Sequence, residues 1–238
     1  MKKQSIDTKY APLIEKIETY FQNSTQSLHK ARNEIKLITF KGEKLIVKSY
    51  KEPSFINKIA YKLGKPSKAK RAYNYALKIA EFTPSPIGYR EFYENGLMKR
   101  SYFVTRYFEY DFTIYELLSN PNFLHRNTLL EEFAHFSKRL HDAKILHQDY
   151  SPGNILIQKH NQTYTFQIVD INRMSFQTLS QNDRLKNFAK LWATDSDLEM
   201  IIGYYSNNPN DRHIALKYSQ AHKDKKNFKK KLKKILKR

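Results

Sequence analysis

Ile145-Leu146-His147-Gln148-Asp149-Tyr150-Ser151-Pro152-Gly153-Asn154-Ile155-Leu156-Ile157 places a carboxylate in a short polar loop, a carboxamide five residues later, and an apolar strand directly after. Val169-Asp170 adds a second carboxylate a little further on. The strands Asn154 to Gln158 and Tyr164 to Val169, joined by the polar turn His160-Asn161-Gln162, are expected to return Asp170 to the place where Asp149 and Asn154 lie. Such a loop lets Asp149 meet a substrate hydroxyl as a general base while Asn154 turns back toward a cation. Base and metal ligand then share one rigid support. Asn154 and Asp170 are the metal ligands this predicts. Mg suits them, because it takes few protein oxygens and completes its shell with phosphate and water. The expected chemistry is phosphoryl transfer from ATP.

Singly, these residues have plainer uses. An Asp in a turn containing Pro and Gly is commonly a turn former, and His147 can serve to orient backbone. The joint pattern H-x-D-x-x-x-x-N, apolar strand, turn, apolar strand, Asp is much harder to reach by accident, and it is the pattern of kinase-like folds.

The chain has 238 residues, enough for one two-lobed domain or two small ones with a real core. Aromatic residues are plentiful and apolar segments recur, so no disordered-protein signature dominates. Cysteine is absent, so disulfides and thiolate zinc sites are excluded, and a reducing compartment fits. Met1-Lys2-Lys3-Gln4-Ser5-Ile6-Asp7 lacks the apolar core of a signal peptide, and no segment is long enough to span a bilayer, so a soluble intracellular protein is expected. The formal net charge of +20 favours anionic partners: nucleotides, nucleic acid, phosphorylated glycolipid or an anionic membrane face. Nucleic acid is disfavoured, because no recognised binding motif accompanies the charge.

The pattern around the central motif supplies its context. Leu13, Ile14, Ile17, Tyr20 and Phe21 recur at helical spacing between Tyr10 and Asn23, predicting an amphipathic helix ahead of the main fold. Ile35 to Phe40 and Leu45 to Tyr50, separated by Lys41-Gly42-Glu43-Lys44, read as a hairpin whose second strand runs Leu45-Ile46-Val47-Lys48. Lys48 is either the point charge that reaches ATP phosphates or a solvent-facing Lys at a strand end. Ser67 to Ala80 reads as a helix with Ser67 as N-cap and Ala69, Ala72, Tyr73, Ala76, Leu77 and Ala80 on one stripe, stopped by Thr83-Pro84-Ser85-Pro86. Ile87 to Tyr93 and Leu97 to Tyr107 flank Glu94-Asn95-Gly96, a strong hairpin turn. After an inter-lobe connection at Phe108-Glu109-Tyr110-Asp111 the pattern turns helical. Thr128-Leu129-Leu130-Glu131 resembles a capping box, and Leu129, Phe133, Phe136 and Leu140 form a core-facing stripe. Helices are expected again from Asp183 to Trp192 and from Asp197 to Tyr205. The predicted class is α+β, a protein-kinase-like two-lobed fold with a small antiparallel-sheet N-lobe carrying one main helix and a mainly helical C-lobe. The predicted organisation is an N-terminal helical segment (1–30), N-lobe (31–108), C-lobe (109–222) and basic tail (223–238).

Between Arg32 and Tyr205 the chain resembles the lipopolysaccharide core kinases of the 3-deoxy-D-manno-octulosonic acid (Kdo) and heptose kinase group. The resemblance rests on Arg32-Asn33-Glu34-Ile35-Lys36, Val47-Lys48-Ser49-Tyr50-Lys51, Ser67-Lys68-Ala69-Lys70-Arg71-Ala72-Tyr73, Thr83-Pro84-Ser85-Pro86-Ile87-Gly88-Tyr89, His147-Gln148-Asp149-Tyr150-Ser151-Pro152-Gly153-Asn154 and Val169-Asp170-Ile171-Asn172-Arg173. It implies that Lys48 holds ATP phosphates, that Asp149 is the base and that Asn154 and Asp170 carry Mg. The implied reaction phosphorylates a sugar hydroxyl on Kdo-lipid A or an inner-core glycolipid, at the inner face of the cytoplasmic membrane of a Gram-negative bacterium. Arg173 is either a further charge-assisted contact to phosphate or substrate, or a structural partner of a nearby acid.

Three features depart from protein kinases. The first hairpin carries Gly42 alone instead of a Gly-rich phosphate cover. The helix after Lys48 has Asn74 and no central acid to pair with that Lys. Ile171-Asn172 follows Asp170, with no A-P-E segment after it, which argues for a glycolipid or small-molecule acceptor. The missing acid leaves a pseudokinase scaffold open. An aminoglycoside-type phosphotransferase would need an acidic acceptor groove, against the basic balance here. In the tail, Phe228, Leu232, Ile235 and Leu236 share one helical face among Lys residues. It is either a peripheral anchor for an anionic membrane or a solvated end.

Overall fold

The computed structural model describes residues 8–30, 33–161 and 163–235. Met1 to Asp7, Arg32, Gln162, Leu236, Lys237, Arg238 and the side chain of Ile235, on which parts of the sequence reading fall, lie outside the described residues. The chain divides into two compact units, ending at Glu109 and beginning at Tyr110.

The first unit opens with α1 (Ala11–Glu15) and α2 (Ile17–Asn23). The single helix expected there is kinked at Lys16, whose φ of −106° and ψ of 27° leave the helical region. The hydrogen bonds continue across the kink, from Lys16 N to Pro12 O and from Tyr20 N to Lys16 O, each 3.2 Å. Leu13, Ile14, Ile17 and Phe21 are buried, so the apolar spacing did mark the inward face. Next come β1 (Ser27–Lys30), β2 (Glu34–Phe40), β3 (Glu43–Tyr50), α3 (Phe55–Lys62), α4 (Lys68–Lys78), β4 (Pro86–Glu94) and β5 (Leu97–Arg106). The strands form one antiparallel sheet in the order β1-β2-β3-β5-β4. Tight turns set its registers. Lys41 and Gly42, then Asn95 and Gly96, all have positive φ, the two-residue geometry that matches strand twist. Alternation separates the two faces: Leu45, Val47, Tyr102 and Val104 pack with α1 and α2 into one core. The other face carries Lys48, Phe103 and Tyr89, and Tyr89 meets Tyr73 of α4 at 5.4 Å between ring centroids. Ser67 caps α4 as its sequence suggested, accepting from Lys70 N at 3.0 Å.

The second unit runs β6 (Phe112–Thr113), α5 (Ile114–Ser119), α6 (Arg126–Asp142), β7 (Ile145–His147), β8 (Ile155–His160), β9 (Thr163–Ile168), β10 (Met174–Phe176), α7 (Gln181–Phe188), α8 (Asp195–Tyr205) and α9 (Asn210–Ile235). Two small antiparallel sheets, β6-β8-β9 and β10-β7, sit among the helices. Leu129, Phe133, Phe136 and Leu140 of α6 are all buried; Phe133 stacks on Tyr150 and Phe136 on Phe166. The capping box expected at Thr128 does not form. The helix starts two residues earlier at Arg126, after His125 in the left-handed region, so Thr128 falls inside the first turn. Capping boxes occur instead at Thr113–Glu116 and Ser180–Asp183. α9 runs unbroken through residue 223, where the sequence reading begins the tail, and its Phe228 and Leu232 are exposed. Among the described residues no helix is long and apolar enough to cross a membrane.

Candidate active site

In the second unit the loop between β7 and β8 carries Asp149 and, through a 3-10 turn at Pro152–Asn154, Asn154. Asn154 Nδ2 donates to the Asp149 carbonyl at 2.9 Å, tying the two ends of the loop together. The Asn154 carbonyl accepts from Val169 N at 2.9 Å, which sets Asp170 beside this loop across the β8-β9 hairpin. The structure therefore brings Asp149, Asn154 and Asp170 together, as the spacing predicted. Asp170 adopts φ of 57°, and its carboxylate accepts from Asn172 Nδ2. The Asp149 carboxylate is paired with Arg173, so of the two readings of that arginine the structure shows the acid-paired one.

His147 is fully buried and holds backbone. Its Nε2–H donates to the Val169 carbonyl at 2.9 Å, and its Nδ1 accepts from Asp149 N at 3.0 Å. Burial pushes its pKa below the ordinary histidine value, so it is the neutral ring with this tautomer that supports the loop.

A second layer of buried bonds supports the first. Asn187 of α7 donates through Nδ2 to the His147 carbonyl at 3.0 Å. Its Oδ1 accepts from His141 Nε2 at 3.2 Å, and His141 Nδ1 accepts from the Tyr205 hydroxyl at 2.9 Å. The chain Tyr205, His141, Asn187, His147 thus joins α8, α6 and α7 to the Asp149 loop by directional bonds in the buried interior, where such bonds are strongest and their loss most costly. Burial lowers the His141 pKa to about 4. Lys190, in a 3-10 turn after α7, donates to the Gln148 carbonyl at 2.7 Å. Burial lowers its pKa, with the Asp149 carboxylate acting in the opposite direction. Sequence reading missed His141, Asn187 and Lys190. The only signal was their polarity within apolar helical stretches.

Lys48 belongs to the first unit. Only 8% exposed, it lies in mid-sheet between Ile35 of β2 and Phe103 of β5, with its ammonium 5.4 Å from the Tyr50 ring centroid. The alternative of a solvent-facing Lys at a strand end is thereby excluded. α3 and α4, which follow it, contain no carboxylate.

Asn154 and Asp170 offer a carboxamide oxygen and a carboxylate, the hard donors Mg prefers, and the Asn154 amide nitrogen is already engaged on Asp149, which turns its Oδ1 the other way. Among the described residues no cluster of three or more His, Asp or Glu could hold a metal.

None of the curated proteins compared with the chain matches it. Among solved structures the chain is similar to WaaP in complex with acyl carrier protein, at TM-score 0.58 and 13% identity over 92% of this chain and 97% of that one. That likeness shows the WaaP kinase-like α+β fold. The model of the "Lipopolysaccharide kinase (Kdo/WaaP) family" matches residues 57–205, well over half of the chain and including the whole loop from His147 to Asp170. The chain belongs to the lipopolysaccharide kinase (Kdo/WaaP) family.

Proposed function

We propose that this chain is a Mg-ATP-dependent kinase that phosphorylates a sugar hydroxyl, of Kdo or heptose, on the lipopolysaccharide inner core or lipid A. Membership in a kinase family implies an ATP-dependent phosphotransferase. The observation that carries the finer reading is the pair of bonds that holds Asp149, Asn154 and Asp170 on one loop and hairpin. Asp149 accepts the proton of the acceptor hydroxyl as its oxygen bonds to the γ-phosphorus and the bond from that phosphorus to the β-bridging oxygen breaks. Arg173, paired with that carboxylate, and Lys190 offer cations to an anionic acceptor. Lys48 holds the phosphates as a point charge. Asn154 and Asp170 hold Mg, which when bound neutralises charge on the phosphates. Positioning and charge supply most of the acceleration, since the transfer asks little covalent chemistry of the protein.

The enzyme works at the inner face of the cytoplasmic membrane of a Gram-negative bacterium, where ATP meets the glycolipid, with the basic end of α9 in peripheral contact with anionic lipid. Purified chain with labelled ATP, Mg and Kdo-lipid A or an inner-core glycolipid is expected to transfer label to the glycan, and Asp149→Asn to abolish transfer. ATP binding without transfer to any glycan would overturn the proposal. It would favour a second reading, a pseudokinase scaffold, which the lack of any carboxylate on α3 and α4 supports.

A further inference from the structure

Among the described residues of the first unit, α3 is the one helix with no buried residue. Phe55, Ile56, Ile59 and Leu63 are 68%, 80%, 41% and 81% exposed. At about 100° per residue these four fall within roughly a quarter to a third of the helix circumference, a continuous apolar ridge. The opposite side is the one that meets the protein: Lys58 pairs with Glu52, and Asn57 and Tyr61 border a small hollow with Tyr50, Met98 and Ser101. The ridge is presented rigidly. Gly64, at φ of 100°, ends the helix, with Gly64 N bonded to Tyr61 O and Lys65 N to Ala60 O, the paired bonds of a Schellman cap. A soluble chain rarely leaves so many large apolar side chains together in water without a use for them.

The surroundings say what covers the ridge. Residues 51–71 contain Lys51, Lys58, Lys62, Lys65, Lys68, Lys70 and Arg71 against the single acid Glu52, which is already paired. A second copy of the chain would bring the same excess of positive charge against it. A surface that accepts a convex apolar ridge and also attracts a ring of cations is the headgroup region of an anionic bilayer. We propose that α3 is an interfacial membrane anchor, with Phe55, Ile56, Ile59 and Leu63 seated among lipid chains and the flanking Lys residues on anionic headgroups. This inference does not depend on the acceptor sugar, or on the chain being an active kinase.

The test is co-sedimentation of the full chain with vesicles of phosphatidylglycerol and phosphatidylethanolamine, and with vesicles of phosphatidylcholine alone. Ile56→Ser/Leu63→Ser removes half of the ridge and keeps every charge, and both sites are exposed enough that circular dichroism and thermal unfolding should match the parent. Phe228→Ser/Leu232→Ser makes the equivalent change on α9. Binding is expected to be specific for anionic vesicles, weakened by salt, and reduced roughly tenfold or more in the α3 variant, with the α9 variant retaining most of it. Equal binding by the α3 variant overturns the proposal, as does equal binding to neutral vesicles. So does an absence of vesicle binding accompanied by self-association or capture of an acidic protein that the α3 variant loses.

Discussion

Lys48 and Asp149 are held in place by opposite means. Lys48 sits in the middle of a ladder, flanked by Ile35 and Phe103, and its position follows from two hairpin registers a few residues away in sequence. Asp149 sits on a loop, and what holds that loop comes from far along the chain: Val169 bonds to His147 across 22 residues, Asn187 to His147 across 40 and His141 to Tyr205 across 64. A charge on a strand inherits rigidity from backbone pairing. A charge on a loop needs side chains recruited from three helices, and so depends on the packing of the whole unit.

The sharpest way to separate the two is to remove the charge from the strand. Lys48→Met keeps the chain length and the apolar stem, so phosphoryl transfer is expected to fall roughly 100-fold or more while urea unfolding changes by less than about 1 kcal/mol. A large loss of stability instead would show that Lys48 serves the fold. Asn187→Leu is the converse. It leaves the His147 carbonyl and a His141 nitrogen without partners in a buried place, and should cost about 2–4 kcal/mol in urea unfolding together with activity.

Acid divides the units by mechanism. His141 titrates at about 4 folded and near 6.5 unfolded, so the unfolded chain binds more protons below 6.5 and stability is lost as pH falls from about 6.5 to 4. His147 acts in the same direction. Lowering the pH from 7 to 5 should remove about 2 kcal/mol through His141 alone. In the first unit Glu43, bonded to Lys9 and Tyr10 and facing Arg106, is held down to about 2, so its contribution disappears only between about 4.5 and 2. Trp192, the single tryptophan, lies in the second unit, and its fluorescence should report the earlier loss. A fluorescence midpoint unchanged between pH 7 and 5 would contradict the buried-histidine account. The smallest effect belongs to the local device: Ser67→Ala removes the cap of α4 and should lower stability by about 1 kcal/mol without moving transfer rates.

These differences explain what could be read from sequence. The turns at Lys41-Gly42 and Asn95-Gly96, the alternation of Leu45 and Val47, and the spacing from Asp149 to Asn154 are local, so they predicted the sheet, the strand carrying Lys48 and the site loop. Asn187 and His141 have no neighbours in sequence that reveal their role, because their partners are 40 to 64 residues away. The false cap at Thr128 shows the limit of a short pattern: Arg126 bonds to the carbonyls of Leu117 and Asn120 and pairs with Asp197, so tertiary contacts fix the helix start ahead of it. The exposure of the apolar ridge on α3 is not legible in the sequence for a related reason. Apolar spacing on a helix says which residues share a face and is silent on whether the fold covers that face.

The left-handed backbone at residue 170 narrows evolution's options there to a very short chemical alphabet. Glycine relaxes the torsion and discards the oxygen donors, while glutamate and branched residues resist the torsion. Only aspartate satisfies both demands, with asparagine keeping the shape and giving up the negative charge. A homologue with asparagine at this position would be a natural experiment in which the architecture survives and the proposed cation site loses its negative charge.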